Sequence, residues 1–309
     1  MKTWILYLLC CLPVFAAQPI ILDTDLGDDI DDTWALAYLL GTPKVELKLV
    51  VTASDNTPTK ARLVAKILAS MGHEEVPLGV GVKTSSEPIH QAAWLGDYAL
   101  SAYKGKVHED GVDAMIALLR AAKSPITVCV IGPQTNLAEA VKRAPDIASK
   151  ARLVCMAGSV YIGYSGKQGA DPEWNVFKDI PAARAVFAAP WEITIAPLDL
   201  CGTLILQGAR YEKVATAKSP LATTVIANYD TWSNRKNYPA GASSVLFDTA
   251  AAYLTTSEKL ADIKTVKLSI NAKGATLPDE AHGRPVRCAL GWKDREKFEE
   301  KLVTAIAGK

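Results

Sequence analysis

The chain has 309 residues, a formal net charge of +1 and 49% hydrophobic residues. That length suits one large domain or two small ones, with ample apolar material for a core. The near-neutral balance and the absence of a long basic run exclude nucleic acid as the main partner.

At the start, Met1-Lys2 precedes an apolar run from Trp4 that ends in Ala16-Ala17. One positive charge, an apolar run and a small-residue end form the pattern of a secretory signal peptide over residues 1–17, cleaved after Ala16 or Ala17. The run is too short to span a bilayer comfortably. The expected mature protein, residues 18–309, is periplasmic or secreted and has no membrane attachment once the signal is removed. Export permits disulfides. Cys129 and Cys155, however, sit in apolar strand-like runs, where a buried free thiol is the expectation, and no disulfide is assigned. No CxxC or His-rich spacing points to zinc.

Next comes a short apolar run, Pro19 to Leu22, followed by six aspartates within ten residues: Asp23, Asp25, Asp28, Asp29, Asp31 and Asp32. Thr33–Leu40 then reads as a helix. The order is strand, acidic loop, helix N-terminus. Crowded carboxylates repel and raise each other's pKa. A hard divalent cation, Ca²⁺ or Mg²⁺, removes that cost through oxygen ligands. A helix N-terminus also favours negative charge, with Asp31 or Asp32 as the capping residue.

Further along, strand-like runs cover Leu47–Thr52, Val76–Val80, Ile126–Ile131, Leu153–Ala157 and Ile193–Ala196. They are nearly continuous hydrophobics, as strands covered on both faces are. Helical patterns alternate with them. Pro58 to Met71 starts with Thr57 as cap and stops at Gly72. Val112–Ala122, Thr135–Arg143 and Ile180–Ala188 follow. The alternation predicts an α/β fold with a doubly wound, mostly parallel sheet flanked by helices. After Pro197, Gln207–Ala217, Ala222–Trp232 and Ser244–Thr255 form a helical subregion. A strand pair, Ile263–Ala272 and Pro285–Leu290, and a closing helix, Asp294–Ala307, end the chain. One domain is the simplest organisation.

Ligands in open parallel sheets bind beyond the carboxyl ends of the strands. Asp23 and Asp25, Asp55 and Asn56, Gly132 to Asn136, Met156 to Gly158, and Asp199 all fall at such ends. In that order the segments resemble the nucleoside hydrolase family, of the calcium-dependent, inosine–uridine-preferring type. Asp23-Thr-Asp25-Leu-Gly27 with Asp31-Asp32 resembles Asp-x-Asp-Pro-Gly-x-Asp-Asp. Val50 to Asn56 resembles a segment ending in a sugar-binding Asn. Ile131-Gly-Pro-Gln-Thr-Asn136 resembles Gly-Pro-Leu-Thr-Asn. Met156-Ala-Gly158 resembles Met-Gly-Gly, Pro172-Glu-Trp-Asn175 resembles Glu-Phe-Asn, Leu198-Asp199 resembles Leu-Asp-Val-Thr, and Asp248 resembles a late metal-binding Asp.

The resemblance implies Ca²⁺ held by Asp25, Asp32, Asp248 and the Ile131 carbonyl. It implies sugar contacts from Asn56, Met156, Glu173, Trp174 and Asn175. It implies cleavage of an N-glycosidic bond of a ribonucleoside or related furanoside by a metal-bound water, with free sugar released. Family members are often homo-oligomers, dimers or tetramers, and no feature of this sequence decides that point.

Three departures stand out. The acidic loop is two residues longer than the family spacing. Counted back from the helix, Asp31 is the base and Asp32 a ligand; counted forward from Asp25, Asp29 is the rival base. Phe247 stands where many members have a proton-donating His, leaving Tyr229, Trp232, Tyr238 and His108 as candidates for a stacking platform or acid. His90 and His108 read as surface or loop histidines. Tyr161–Gly169 lacks the Asn expected upstream of Glu173. Phe247 keeps two alternatives open: a hydrolase of another carbohydrate glycoside, and a catalytically silent sugar-binding protein.

Overall fold

The structure is a computed structural model that describes residues 17–308. The signal-peptide reading of residues 1–17 lies, but for Ala17, outside the described residues.

Ten strands make one sheet. In chain order they are β1 Gln18–Thr24, β2 Val45–Thr52, β3 Leu78–Gly79, β4 Val107–His108, β5 Ile126–Val130, β6 Ala151–Met156, β7 Glu192–Ala196, β8 Ala261–Ile270, β9 Thr276–Pro278 and β10 Arg284–Trp292. Their spatial order is β4-β3-β2-β1-β5-β6-β7-β10-β8-β9. From β4 to β10 every pairing is parallel, and β10–β8 and β8–β9 are antiparallel.

The apolar strand runs follow from burial on both faces. Along β1, Ile20 and Leu22 enter one hydrophobic cluster and Ile21 the other, on the opposite face. Cys129 and Cys155 likewise point into different clusters. All four cysteines from Cys129 on are free and buried, as the apolar context of the first two predicts.

The chain steps outward from β1 to β4, then returns on the other side of β1 with β5. Asp23 pairs with Val130 across that junction. The loops leaving β1 and β5 therefore diverge above the point where the strand order reverses, which opens a crevice there. The first loop is the acidic stretch. It ends in α1, Asp31–Gly41, a helix buried from Asp31 through Leu39. A helix apolar nearly all round must be enclosed, and α1 packs against the helices Phe247–Thr256 and Arg295–Ala307. That contact carries Asp248 to the acidic loop.

One local expectation changes. Asn56, not Thr57, holds the cap position of α2, Thr57–Met71, and the Thr57 hydroxyl donates instead to the Gly81 carbonyl at 2.8 Å. The expected C-terminal strand pair is present, with β10 and β8 antiparallel, and β10 also pairs in parallel with β7 so that the pair continues the main sheet. Among the described residues, no helix is long and apolar enough to cross a membrane.

Candidate active site

A cavity of about 250 Å³ opens at the crevice. Its lining includes Asp25, Asp31, Asp32 and Asp248. One carboxylate oxygen from each of Asp31, Asp32 and Asp248 lies within 4.8 Å of the others, and all three residues are buried. Two helix N-termini bring them together, since Asp31 and Asp32 open α1 and Asp248 sits in the first turn of Phe247–Thr256. Positive helix ends favour such carboxylates.

Their hydrogen bonds differ from the capping expected of them. Ile30 occupies the N-cap of α1 and makes no side-chain cap. Asp31 Oδ2 instead accepts from the Asp248 backbone N–H at 3.1 Å, so it serves the neighbouring helix. Asp32 Oδ1 accepts from the Thr24 hydroxyl, at the end of β1. The two aspartates thus bridge separate elements.

Burial pushes the carboxyls of Asp31, Asp32 and Asp248 well above the ordinary range, and neighbouring carboxylates push them further. Asp25 is raised to about 7, by burial first, with Lys60 opposing. This is the signature of surplus negative charge in a site walled from water. The carboxylate donors are hard oxygens, and Ile131 lines the same cavity. The residues fit a hard divalent cation.

Asp29 is less buried than Asp31 and Asp32, and its Oδ1 accepts from the Ile30 N–H at 2.7 Å. Burial raises its carboxyl too. Both base candidates therefore line the cavity.

Met156, Glu173, Trp174 and Asn175 line the same cavity. Glu173 caps the short helix Trp174–Lys178: Oε1 accepts from Asn175 N–H at 2.7 Å and Oε2 from Gly158 N–H at 2.8 Å. Burial raises its carboxyl to about 7 against those bonds. Asn175 Nδ2 donates to the carbonyls of Ile131, at 3.3 Å, and Met156, at 3.1 Å, tying the ends of β5 and β6. Trp174 is 51% exposed. Its backbone N–H donates to the Tyr164 hydroxyl at 2.9 Å, and Tyr164 meets the Phe247 ring edge-on at 6.1 Å.

Asn56 is not among the residues lining the cavity; it holds the N-cap position of α2, with its carbonyl accepting from the Lys60 N–H at 3.0 Å. Two other motif residues act as ties. Asn136 Nδ2 bridges Asp23 Oδ2, at 2.7 Å, and the Thr52 carbonyl, at 3.0 Å. Asp199 accepts from the backbone N–H groups of Val160, Tyr161 and Ile162. The acid candidates also move. Tyr229 is buried and donates to the Ala242 carbonyl, and His108 ends β4 at the sheet edge. Neither of them, nor Trp232 or Tyr238, is among the cavity residues.

Three residues escaped the sequence reading, and His90, which it placed on the surface or a loop, lines the cavity. Lys60 is fully buried, with Nζ 2.7 Å from Asp28 Oδ2. Burial alone would lower its pKa, but Asp25, Asp28 and Asp32 hold it above the ordinary value. The available signal was a lysine on the apolar stripe of α2 with Val64, Ile67 and Met71. Tyr164, His90 and Asn234 also line the cavity. His90 sits in a clasp on the acidic loop. Gln91 N–H donates to the Gly27 carbonyl at 3.0 Å, Gln91 Nε2 to the Asp29 carbonyl, and Trp232 Nε1 to the Asp28 carbonyl at 2.8 Å. Asn228 in turn donates to Gln91 Oε1 at 2.7 Å. These bonds accommodate the extended loop. No local pattern announces them.

A model of the family "Inosine-uridine preferring nucleoside hydrolase" matches residues 20–302. The chain is 32% identical over 220 residues to the pyrimidine-specific ribonucleoside hydrolase RihA of Enterobacter sp. (strain 638), covering 68% of this chain and 69% of that one. Among solved structures, the purine-preferring ribonucleoside hydrolase of Gardnerella vaginalis superposes with a TM-score of 0.79 at 24% identity, over 94% of this chain and 98% of that one. The inosine-uridine preferring nucleoside hydrolase of Bacillus anthracis gives 0.76 at 21% identity, over 94% and 100%. The two structural likenesses bear on the fold.

Proposed function

The chain belongs to the inosine-uridine preferring nucleoside hydrolase family, and on that premise we propose that it is a Ca²⁺-dependent hydrolase of the N-glycosidic bond of a ribonucleoside or related furanoside. The observation that carries the metal-dependent reading is the convergence of Asp31, Asp32 and Asp248 in the lining of the cavity.

In this reading Asp25, Asp32, Asp248 and the Ile131 carbonyl hold the cation. When bound, it supplies a fixed positive charge that orients a vicinal diol and acidifies water. Glu173 and Asn175, in the same cavity, hydrogen-bond the sugar. Asp31 accepts a proton from the water that attacks the anomeric carbon, with Asp29 as the rival for that role. The surrounding carboxylates stabilise the positive charge that develops on the sugar as the bond breaks. Export completes the reading: a mature protein beginning after Ala16 or Ala17 works in the periplasm or outside the cell.

The test is reducing-sugar release from purine and pyrimidine nucleosides and p-nitrophenyl riboside, with EDTA and with added Ca²⁺. Release that EDTA abolishes and Ca²⁺ restores is the expected result. Ribose binding without release from any substrate would make the protein a sugar-binding one instead.

A further inference from the structure

We propose that Lys178 and Asp55, neither of them among the residues lining the cavity, are positioning residues: their ion pair fixes the Trp174 side chain at the cavity and so sets the affinity for substrate. The nature of that substrate rests on the N-glycosidase reading above.

The first observation is a strained turn. Ser54 and Asp55, directly after β2, stand at φ +60° and +52°, the left-handed region that residues with side chains seldom adopt. Backbone of this kind persists only where its surroundings over-determine it. Asp55 is held in that way. Its N–H donates to the Thr84 hydroxyl at 2.7 Å, and its carbonyl accepts from the N–H groups of Thr84, at 3.0 Å, and Ser85, at 3.3 Å. Its Oδ1 accepts from the Ser85 hydroxyl at 3.0 Å. Oδ2 then stands 3.1 Å from the Lys178 ammonium. Asp55 is thus a fixed anchor, and Lys178 is the arm that reaches it from a distant part of the chain.

The second observation is how little else holds the indole. Trp174–Lys178 is a helix of five residues, far below the length at which a helix is stable by itself. Asn175 and Val176 are its buried members, and Trp174 and Phe177 are half exposed. The bonds of Glu173, Asn175 and the Trp174 backbone secure the first turn, but none of them is made to the indole. Lys178 reaches it. Four residues on from Trp174, it lies on the same helix face, and its ammonium is 5.2 Å from the ring centre. At that range an indole attracts a cation. One ammonium therefore answers both ring and carboxylate. The Lys178 side chain is 31% exposed and that of Asp55 16%, so solvent weakens the pair less than it weakens a fully exposed one.

The consequence lies in binding. Trp174 lines the cavity. A ring free to change rotamer must be ordered when a ligand arrives, and that ordering lowers affinity. A ring already held by Lys178 has lost the freedom beforehand. The gain is the same for bound substrate and transition state, so it appears in KM and leaves kcat alone.

The experiment measures KM and kcat of the Ca²⁺-supplemented protein for uridine and inosine. Lys178→Met removes the charge and keeps the stem. Asp55→Asn keeps the shape and tolerates the left-handed backbone. Each is expected to raise KM by about threefold to tenfold, with kcat within about twofold of the parent. Lys178→Arg, which keeps a cation over the ring, is expected to hold KM near the parent value. In a Trp174→Ala background, Lys178→Met is expected to raise KM no further, because the ring through which it acts is gone. A merely structural role predicts the opposite: the Lys178→Met effect persists in that background, and kcat moves with KM. Either result overturns the proposal, as does an unchanged KM in both single variants. No sugar released by the parent protein defeats the N-glycosidase reading instead. Calorimetric titration with uridine then reads the tie without turnover, and equal affinity of parent and Lys178→Met overturns it.

Discussion

Asp31 and Asp29 make the sharpest contrast between single residues. The Asp31 carboxylate is held by the Asp248 backbone beside the other buried carboxylates, whereas the Asp29 carboxylate accepts from its neighbour Ile30 and is less buried. Asp31→Asn is expected to lower kcat by about 10²–10⁴-fold, the usual worth of a positioned base, with ribose affinity retained. Asp29→Asn is expected to cost far less. Steady-state kinetics with ribose titration separates them, and the reverse ranking reassigns the base. Composition and order made this pair legible, because the helix start at Asp31 is a stronger anchor than a count along a loop. Lys60 was not legible. A lysine on an apolar stripe announces an unusual partner, but only the fold shows that the partner is Asp28, thirty-two residues away.

Among the elements, the clasp on the acidic loop explains how a longer loop keeps its carboxylates in place. Gln91 links the Gly27 and Asp29 carbonyls to Asn228 on the helix Pro220–Thr231. Gly27 sits at φ +135°, a region other residues avoid, and the Lys60 stem lies 3.1 Å from where a Cβ would stand. Gln91→Ala leaves buried groups without partners, which costs about 1–3 kcal/mol. Urea denaturation should show that loss, with a raised KM as the loop loosens. An unchanged midpoint would show that the clasp carries no stability. The helices Thr135–Arg143 and Ile180–Ala188 match the sequence reading residue for residue, since local stops mark their ends. β4 and β9 are too short for any periodicity and exist only through their neighbours.

At the scale of the whole molecule, the acidic site sets how stability answers to pH and metal. Asp23 and Glu173, each raised to about 7 by burial first, hold protons in the folded protein that the unfolded chain has released. Between about pH 4 and 7 the folded state binds more protons, so the free energy of unfolding falls as pH rises. Metal-free protein is therefore expected to melt at a higher temperature at pH 5 than at pH 8. A cation bound only by the folded form adds about 2.7 kcal/mol at a hundredfold excess over its Kd. Because it binds the deprotonated carboxylates, it is expected to raise the melting temperature more at pH 8 than at pH 5. Calorimetry at the two pH values with EDTA and with Ca²⁺ tests both signs. An equal Ca²⁺ shift at both would detach the cluster from metal binding. The sheet class and its parallel core were legible because double-faced burial writes itself into continuous apolar runs. The joining of β10 to β7 was not, because pairing between distant strands leaves no local trace.

The two margins of the ten-strand sheet have a consequence of their own. One ends on β4, two residues long, and the other on β9, three residues that include Pro278, which has no N–H to offer. A long bare margin would be a template on which a second chain could add a strand and begin a fibril. β9 covers β8 only at Leu268–Ile270, and the rest of that outer margin carries Asp262, Lys264 and Lys267. Crowded copies of this protein meet charges along that stretch, which discourage the addition of a strand.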